Sequence, residues 1–239
     1  MNCNSYSKRY NRLNYTDFRT KLTVNSVYTN LSDTIPGVFQ ASQPRSIRIR
    51  DAYVEAGIDL LNSIRFHDLK ISVLAANCGY SVGSFYTRFQ DKDAYFKALR
   101  LASVTACNHD VDNRVTPEKL SKLSVNEALD ELVDLMADIF TGRFRGVLRE
   151  ALLRILEPGD PWAPMRDSAR RIIGYYHEAL AGSFNQFSEE DTKTRISFCF
   201  QIIVGVLQND LVNDYHVFST KDQSLRAALK ENLRCYMNV

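Results

Sequence analysis

The sequence contains no cluster of cysteines and histidines that would hold a metal ion or a disulfide framework. Its five cysteines and four histidines are scattered along 239 residues, with no C-x-x-C pair and no histidine at ligand spacing from a cysteine. Zinc sites and disulfide scaffolds both need closely spaced partners, and unpaired cysteines are typical of a reducing compartment. We therefore expect no metal and no cofactor.

The chain also lacks a run of about 18 apolar residues, the length a membrane span needs, and it has no apolar secretory signal near Met1. It shows no Ser/His/Asp grouping, paired carboxylates or phosphate-binding glycine loop. With 45% hydrophobic and 24% charged residues its composition is that of an ordinary globular protein. These features predict a cytoplasmic protein that is neither an enzyme nor a membrane protein.

Charge is distributed unevenly, although the whole chain carries only +2. Residues 1–44 carry +3, residues 45–100 carry +3 and residues 101–239 carry −4. A basic front and an acidic rear favour a DNA-facing head on a body that does not face DNA. The alternative is a chance variation of charge on a solvated surface, which would give the same asymmetry.

Apolar residues recur at helical spacing from Arg48 onward, and no stretch of 45–239 alternates with the two-residue period of a strand. Helices are predicted over about 48–61, 71–78, 82–88, 92–108, 124–141, 144–156, 161–182, 188–213 and 221–236. The pattern predicts an all-α protein, in which a three-helix head at 45–100 precedes a larger helical domain at 101–239.

Residues 1–44 are rich in Asn, Ser, Thr and Tyr and show no persistent period. We interpret them as a mostly disordered basic and polar arm. An alternative is a start codon placed too far upstream, with the true start at a non-Met codon such as Val24, Val27 or Val38.

The stretch Ile71–Phe89 has the features of a helix-turn-helix. Ala75 lies where the two helices cross closely, and Gly79 occupies a turn that favours positive φ. Ser81 is placed to cap the second helix, and Asp91 to cap the next one. An exposed helix N-terminus of this kind is what enters the DNA major groove.

The second helix and its neighbours supply the candidate DNA contacts. Serine and threonine bond bases or phosphates, and Arg88 suits guanine or a phosphate. The predicted DNA-binding residues are Lys70, Ser81, Val82, Gly83, Ser84, Tyr86, Thr87, Arg88 and Lys92.

From Gly79 to Asp93 the sequence GYSVGSFYTRFQDKD resembles the pattern of the TetR (tetracycline-repressor) family of transcriptional regulators. Ala52, Leu60 and Phe66 also fall where that family keeps first-helix residues and a following aromatic. The resemblance covers about residues 47–100. Beyond it, only helix number and length are similar.

The resemblance implies that Tyr86 contacts a phosphate, that Lys92 anchors the DNA backbone and that Gly83 permits close approach. The chain departs from the family at residues 69–70, where a capping threonine is common, and Asp68 is a possible substitute cap. It also has Val82 where a basic residue is common, a loss for which Lys70 is placed to compensate.

In this family the rear domain binds an inducer and carries the dimer contact, so we expect an apolar or aromatic small-molecule ligand and a homodimer. The candidate ligand contacts are Trp162, Tyr176, His177 and Gln201. Two late amphipathic helices supply the candidate dimer interface, Phe200, Ile203, Leu207, Leu225, Leu229 and Leu233. The alternative is that these six residues lie inside the protomer.

The predicted function is a ligand-controlled repressor that binds a palindromic DNA operator as a homodimer. Two other functions are compatible with the residues. One is an enzyme or receptor that uses the rear pocket and keeps a degenerate head, and the other is an adaptor whose head binds protein.

Overall fold

A computed structural model describes residues 31–213, 218 and 223–239. Within them every regular element is a helix, and the one β-type contact is an isolated bridge between Val38 and Phe89. The all-α prediction is confirmed. The helices are α1 Leu31–Thr34, α2 Pro44–Leu61, α3 Ile71–Cys78, α4 Val82–Tyr86, α5 Lys92–Arg114, α6 Pro117–Leu120, α7 Val125–Thr141, α8 Arg145–Leu153, α9 Ala163–Leu180, α10 Glu189–Val212 and α11 Ser224–Met237.

Several of these helices begin where a capping residue predicts. The Ser81 and Asp91 side chains accept hydrogen bonds from the Ser84 and Ala94 amides, at 3.2 and 2.8 Å. Ser124 and Glu127 form the reciprocal capping box that opens α7. Helix α3 differs, because it begins after Lys70 with no side-chain cap, so the suggested cap by Asp68 is wrong.

The N-terminal helices surround a buried aromatic cluster. The cluster consists of Tyr53 of α2, Phe85 of α4, Phe89 between α4 and α5, and Tyr95 of α5. All four are fully buried, with ring centroids 4.9–6.4 Å apart in edge or tilted contacts. The Tyr95 hydroxyl donates to the Tyr53 carbonyl at 2.6 Å. Aromatic pairs of this geometry contribute beyond their buried area, so the cluster fixes α4 against α2 and α5.

The segment before α2 is part of this core. Leu31, Ile35 and Val38 are buried, and the backbone at Gly37–Phe39 pairs with the residues that follow α4. The Phe39 amide donates to the Arg88 carbonyl, and the Gln90 amide donates to Gly37, both at 2.8 Å. The prediction of a disordered arm is therefore wrong for residues 31–39, whereas residues 1–30 lie outside the described residues.

The rear of the molecule packs α10 and α11 against α7. All six residues predicted for the dimer interface are buried in this protomer, from Ile203 and Leu233 at 0% exposure to Phe200 and Leu225 at 6%. The assignment of these side chains to a dimer surface is wrong. An amphipathic stripe marks the face that is buried, and here α7 and α9 of the same chain bury it.

Within residues 31–213 and 223–239, α10 is the one helix long and apolar enough to cross a membrane, with a mean hydropathy of 1.2 in its most apolar window. Its Ile196, Cys199 and Ile203 side chains lie in the protein core. A core helix of a folded protein meets the same criterion, so the length and composition of α10 are explained by its packing.

A polar contact joins the end of α2 to the start of α8. The Asn62 carboxamide donates to the Arg143 carbonyl at 2.8 Å and accepts from the Gly146 amide at 2.9 Å. Arg149 donates to the Leu61 and Ile64 carbonyls at 2.8 and 3.0 Å, which satisfies free carbonyls at the C-terminus of α2. The end of α2 and the start of α8 are thus held together in part through backbone groups.

Candidate nucleic-acid interface

The turn between α3 and α4 has the geometry that the sequence predicts. Gly79 adopts a left-handed conformation with φ of 71°, which a residue with a side chain rarely takes. The Tyr80 amide then returns to the Ala75 carbonyl at 2.9 Å, and Ala75 is 1% exposed. This bend directs the N-terminus of α4 away from the body.

The exposed side of α4 carries most of the predicted DNA contacts. Ser81, Gly83 and Thr87 are exposed, Val82 is 41% exposed and Tyr86 is 50% exposed. The Tyr86 hydroxyl has no hydrogen-bond partner among the described residues. Lys70, at the start of α3, is also exposed. A surface with this mixture of hydroxyls, an amphipathic aromatic and a nearby lysine can contact phosphates and base edges.

Gly83 is not required by the fold of the protomer. A Cβ atom built on it would have only the Ser81 hydroxyl oxygen nearby, at 3.8 Å, and its φ lies outside the positive region. Glycine inside a helix is unfavourable relative to alanine, so its presence on this exposed turn is consistent with a close approach by another molecule.

Arg88 does not lie on this surface. It is 9% exposed, and its guanidinium Nη1 donates to the Ser84 carbonyl and the Thr87 hydroxyl, both at 2.7 Å. The extended backbone at Phe39 runs beside it. The prediction of Arg88 as an exposed DNA contact is wrong, because its side chain is buried and bonded to its own chain beside the segment before α2.

Tyr53 and Ser84 hold the start of α4 in place. The Tyr53 hydroxyl donates to the Ser81 carbonyl at 3.0 Å, and the Ser84 hydroxyl oxygen lies 2.6 Å from that of Tyr53. The sequence predicts only that the helix at about 48–61 has an apolar face, and no polar role for Tyr53 was predicted. The signal in the sequence that could have indicated this positioning role is the hydroxyl group of Tyr53, on an otherwise apolar face of the helix. The contact of Ser84 with DNA stays a prediction.

Lys92 is engaged with its own chain. Its ammonium group donates to the Phe66 carbonyl at 2.9 Å and to the His67 carbonyl at 3.3 Å, and it lies 4.8 Å from the centre of the Phe66 ring. Partial burial and the neighbouring charge of Arg154 lower the pKa of Lys92 from its ordinary value. In the free protein Lys92 therefore secures the loop between α2 and α3, and its contact with a DNA phosphate stays a prediction.

A cavity of about 170 Å³ lies between α5, α7, α8, α9 and α10. Of the four candidate ligand residues only Trp162 lines it, together with Phe200, which had been expected at the dimer interface. Tyr176 is buried elsewhere, and Gln201 is exposed. His177 bonds across to α10, with its Nε2 2.9 Å from the Lys193 carbonyl oxygen. These three residues are not brought to the cavity.

The geometry of α3 and α4 defines the class of protein as a helix-turn-helix protein. Several solved structures share this fold over most of the chain. A protein from Mesorhizobium loti described as a TetR-family transcriptional regulator has a TM-score of 0.61 at 14% identity, over 82% of this chain and 96% of its own. A TetR-family protein from Vibrio parahaemolyticus has a TM-score of 0.52 at 18% identity, over 77% and 96%. The fatty acid degradation regulator FadR from Bacillus halodurans has a TM-score of 0.53 at 16% identity, over 83% and 97%.

The chain therefore has the fold of TetR-family transcriptional regulators. No family model matches its sequence, and no curated protein matches it either. These solved structures are regulators rather than enzymes.

Proposed function

We propose that this protein is a sequence-specific DNA-binding regulator of the TetR type, which represses transcription as a homodimer on a palindromic operator in the bacterial cytoplasm. The observation that carries the proposal is the exposed N-terminal side of α4, held outward by the Gly79 bend and by Tyr53. Residues 45–100, with the added segment 31–39, form the DNA-binding head, and residues 101–239 form the ligand-binding and dimerisation domain.

The test is binding to the DNA upstream of the protein's own gene, measured by gel retardation over a series of salt concentrations. Replacement of Tyr86 by phenylalanine removes a hydroxyl that contacts phosphate in this proposal. We expect binding of all sequences to weaken by a similar factor, about threefold to tenfold, because a phosphate contact carries no sequence information. Tyr175→Phe removes a hydroxyl from the rear domain, where it lies 3.3 Å from Asp112, and is the matched control.

Equal operator binding by wild type and Tyr86→Phe across the salt series would contradict the placement of α4. Retention of a partner protein independent of DNA would favour an adaptor instead.

The dimer contact is assigned to the outward side of α10. Phe198, Gly205 and Asn209 are exposed, Val212 is 39% exposed, and Ile202 is half-buried. Their spacing of three or four residues places them on one stripe of the helix. A Cβ atom on Gly205 would meet none of the described residues within 4 Å, so their packing does not require glycine there. A close pair of α10 helices across a two-fold axis does require a small residue at the contact. A dimer is expected because a single DNA-binding head touches too few base pairs for useful specificity.

We expect Gly205→Glu to convert the dimer into a monomer. Two added carboxylates would face each other near the two-fold axis, where their burial and repulsion are unfavourable. Sedimentation velocity measures the change, and specific operator binding is expected to fall with it. Gly174→Glu is the control, since Gly174 is an exposed glycine of α9 with equally open surroundings. A dimer that persists in Gly205→Glu would place the interface elsewhere.

A further inference from the structure

The cavity in the rear domain is small and its walls are apolar. Its volume of about 170 Å³ is close to the roughly 150 Å³ of an engineered cavity that stays dry and binds benzene. It is below the range of about 300–1,000 Å³ for sites that hold drug-sized ligands. A molecule with one ring fits this volume, whereas a long acyl chain does not.

Three aromatic side chains line the cavity, one from each of three elements. They are Phe140 of α7, Trp162 before α9 and Phe200 of α10, all less than 8% exposed. Met136 and Met165 lie in the same wall. Ring edges and thioether sulfurs both interact favourably with an aromatic face, so an aromatic ring gains more from these walls than a saturated ring of equal size.

One polar group of the wall is left without a partner. Asn108 of α5 lines the cavity, and its side-chain oxygen is buried with no hydrogen bond among the described residues. A buried acceptor without a donor is unfavourable by about 1–3 kcal/mol. A rotation of the Asn108 side chain toward the cavity would let a hydroxyl group on a bound molecule donate to this oxygen and remove that penalty.

The described residues that line the cavity supply no unbalanced positive charge. Arg166 reaches its wall, but the guanidinium forms an ion pair with Asp160. Cys107 is also in the wall, and burial raises the pKa of its thiol to about 12, which keeps it uncharged. An anionic molecule would lose its hydration without gaining a free counter-charge.

We propose that this cavity binds a neutral single-ring aromatic molecule that carries a hydroxyl group, with the ring between Phe140, Trp162 and Phe200 and the hydroxyl directed at Asn108. The proposal rests on the proposed function, because it names the class of the regulator's ligand.

The position of the cavity explains how the binding of such a molecule would affect the DNA-binding head. Asn108 lies on α5, the helix that begins at Lys92 within the head. Leu148 lines the cavity from α8, and the neighbouring Arg149 and Gly146 hold the end of α2. A ligand that prefers one arrangement of α5 and α8 therefore biases the position of both heads.

Trp162 gives a direct readout of occupancy, because it is the only tryptophan of the chain and lines the cavity. Its fluorescence, excited at the red edge of its absorption, is titrated with phenol, toluene, cyclohexanol, benzoate and decanoate in the full-length protein. We expect phenol to bind about fivefold to tenfold more tightly than toluene, which has the same shape but no hydroxyl, as one net hydrogen bond predicts. Cyclohexanol, benzoate and decanoate are expected to bind more weakly than phenol.

Asn108→Leu tests the polar contact. It is expected to remove the advantage of phenol over toluene while leaving toluene binding intact, a pattern that general loss of structure would not give. Ala169→Leu, which adds volume to the wall, is expected to weaken every probe.

Equal binding of phenol and toluene, an unchanged preference in Asn108→Leu, or tighter binding of benzoate or decanoate would each overturn the proposal. Operator binding is measured separately on the same samples. If phenol fails to bind while the operator is still bound, the ligand class is wrong and the regulator stands. If operator DNA is not bound at all, the proposed function itself fails.

Discussion

Replacement of Gly83 by leucine is expected to weaken operator binding about a hundredfold, or about 2.7 kcal/mol, without destabilising the free protein. The nearest atom to a Cβ at this position is the Ser81 hydroxyl oxygen at 3.8 Å, so the side chain projects into solvent. Leucine is a better helix former than glycine by up to about 1 kcal/mol. In the complex with DNA, the leucine side chain would hold α4 out of the major groove, so several base contacts would be lost together.

The measurement for Gly83→Leu combines two assays on one preparation. Fluorescence anisotropy of labelled operator gives affinity, and urea unfolding at fixed protein concentration gives stability. Gly174→Leu is the matched control, because this α9 glycine is also exposed and meets nothing within 4 Å. It is expected to keep operator affinity. A Gly83→Leu protein that binds operator as the wild type does would contradict the docking of α4.

Gly146→Ala is expected to lower the free energy of unfolding by about 3 kcal/mol and to loosen the head from the rear domain. An added Cβ would overlap the carbonyl carbon and oxygen of Leu61 and the amide of Asn62. These are backbone atoms at the end of α2, so no side-chain rotation relieves the overlap. Either α8 moves away from α2 or the hydrogen bond from the Gly146 amide to Asn62 is lost.

Urea unfolding measures the loss in Gly146→Ala, and amide hydrogen exchange at the end of α2 shows whether the contact has opened. Gly174→Ala, in an open helical site, is expected to be as stable as the wild type or slightly more so. If Gly146→Ala unfolded at the same urea concentration as the wild type, α2 and α8 would not be in the contact described.

Much of the head could be predicted from sequence because its signals are local. Gly79, Ser81 and Asp91 each act within four residues of the chain, on a turn or on a helix start, and the structure shows each in that role. The segment around Leu31 and Ile35 was missed because α1 is only four residues long. A stretch of that length is too short for helical periodicity to be recognised.

The rear domain could be predicted only in outline, since its contacts depend on packing between distant helices. Leu207 and Leu229 have the spacing of a buried face, but the sequence does not say whether another chain or α7 buries them. The same holds for the cavity, because the packing of α5 and α7 brings Asn108 and Phe140 to its wall and no sequence motif marks them. The exposure of Arg88 was predicted wrongly for the same reason, since the backbone that lies beside it, at Phe39, is about fifty positions earlier in the chain.

The most direct test of the account is to incubate the full-length protein with a fragment library of its own genome and to sequence the fragments retained. A pair of α4 helices related by a two-fold axis predicts a palindromic motif whose half-sites lie on one DNA face, about 34–36 Å apart or further if the DNA is deformed. Gly83→Leu is expected to lose this enrichment. A retained set with no symmetric motif, or one identical for Gly83→Leu and wild type, would contradict the assignment of α4 as the helix that reads DNA.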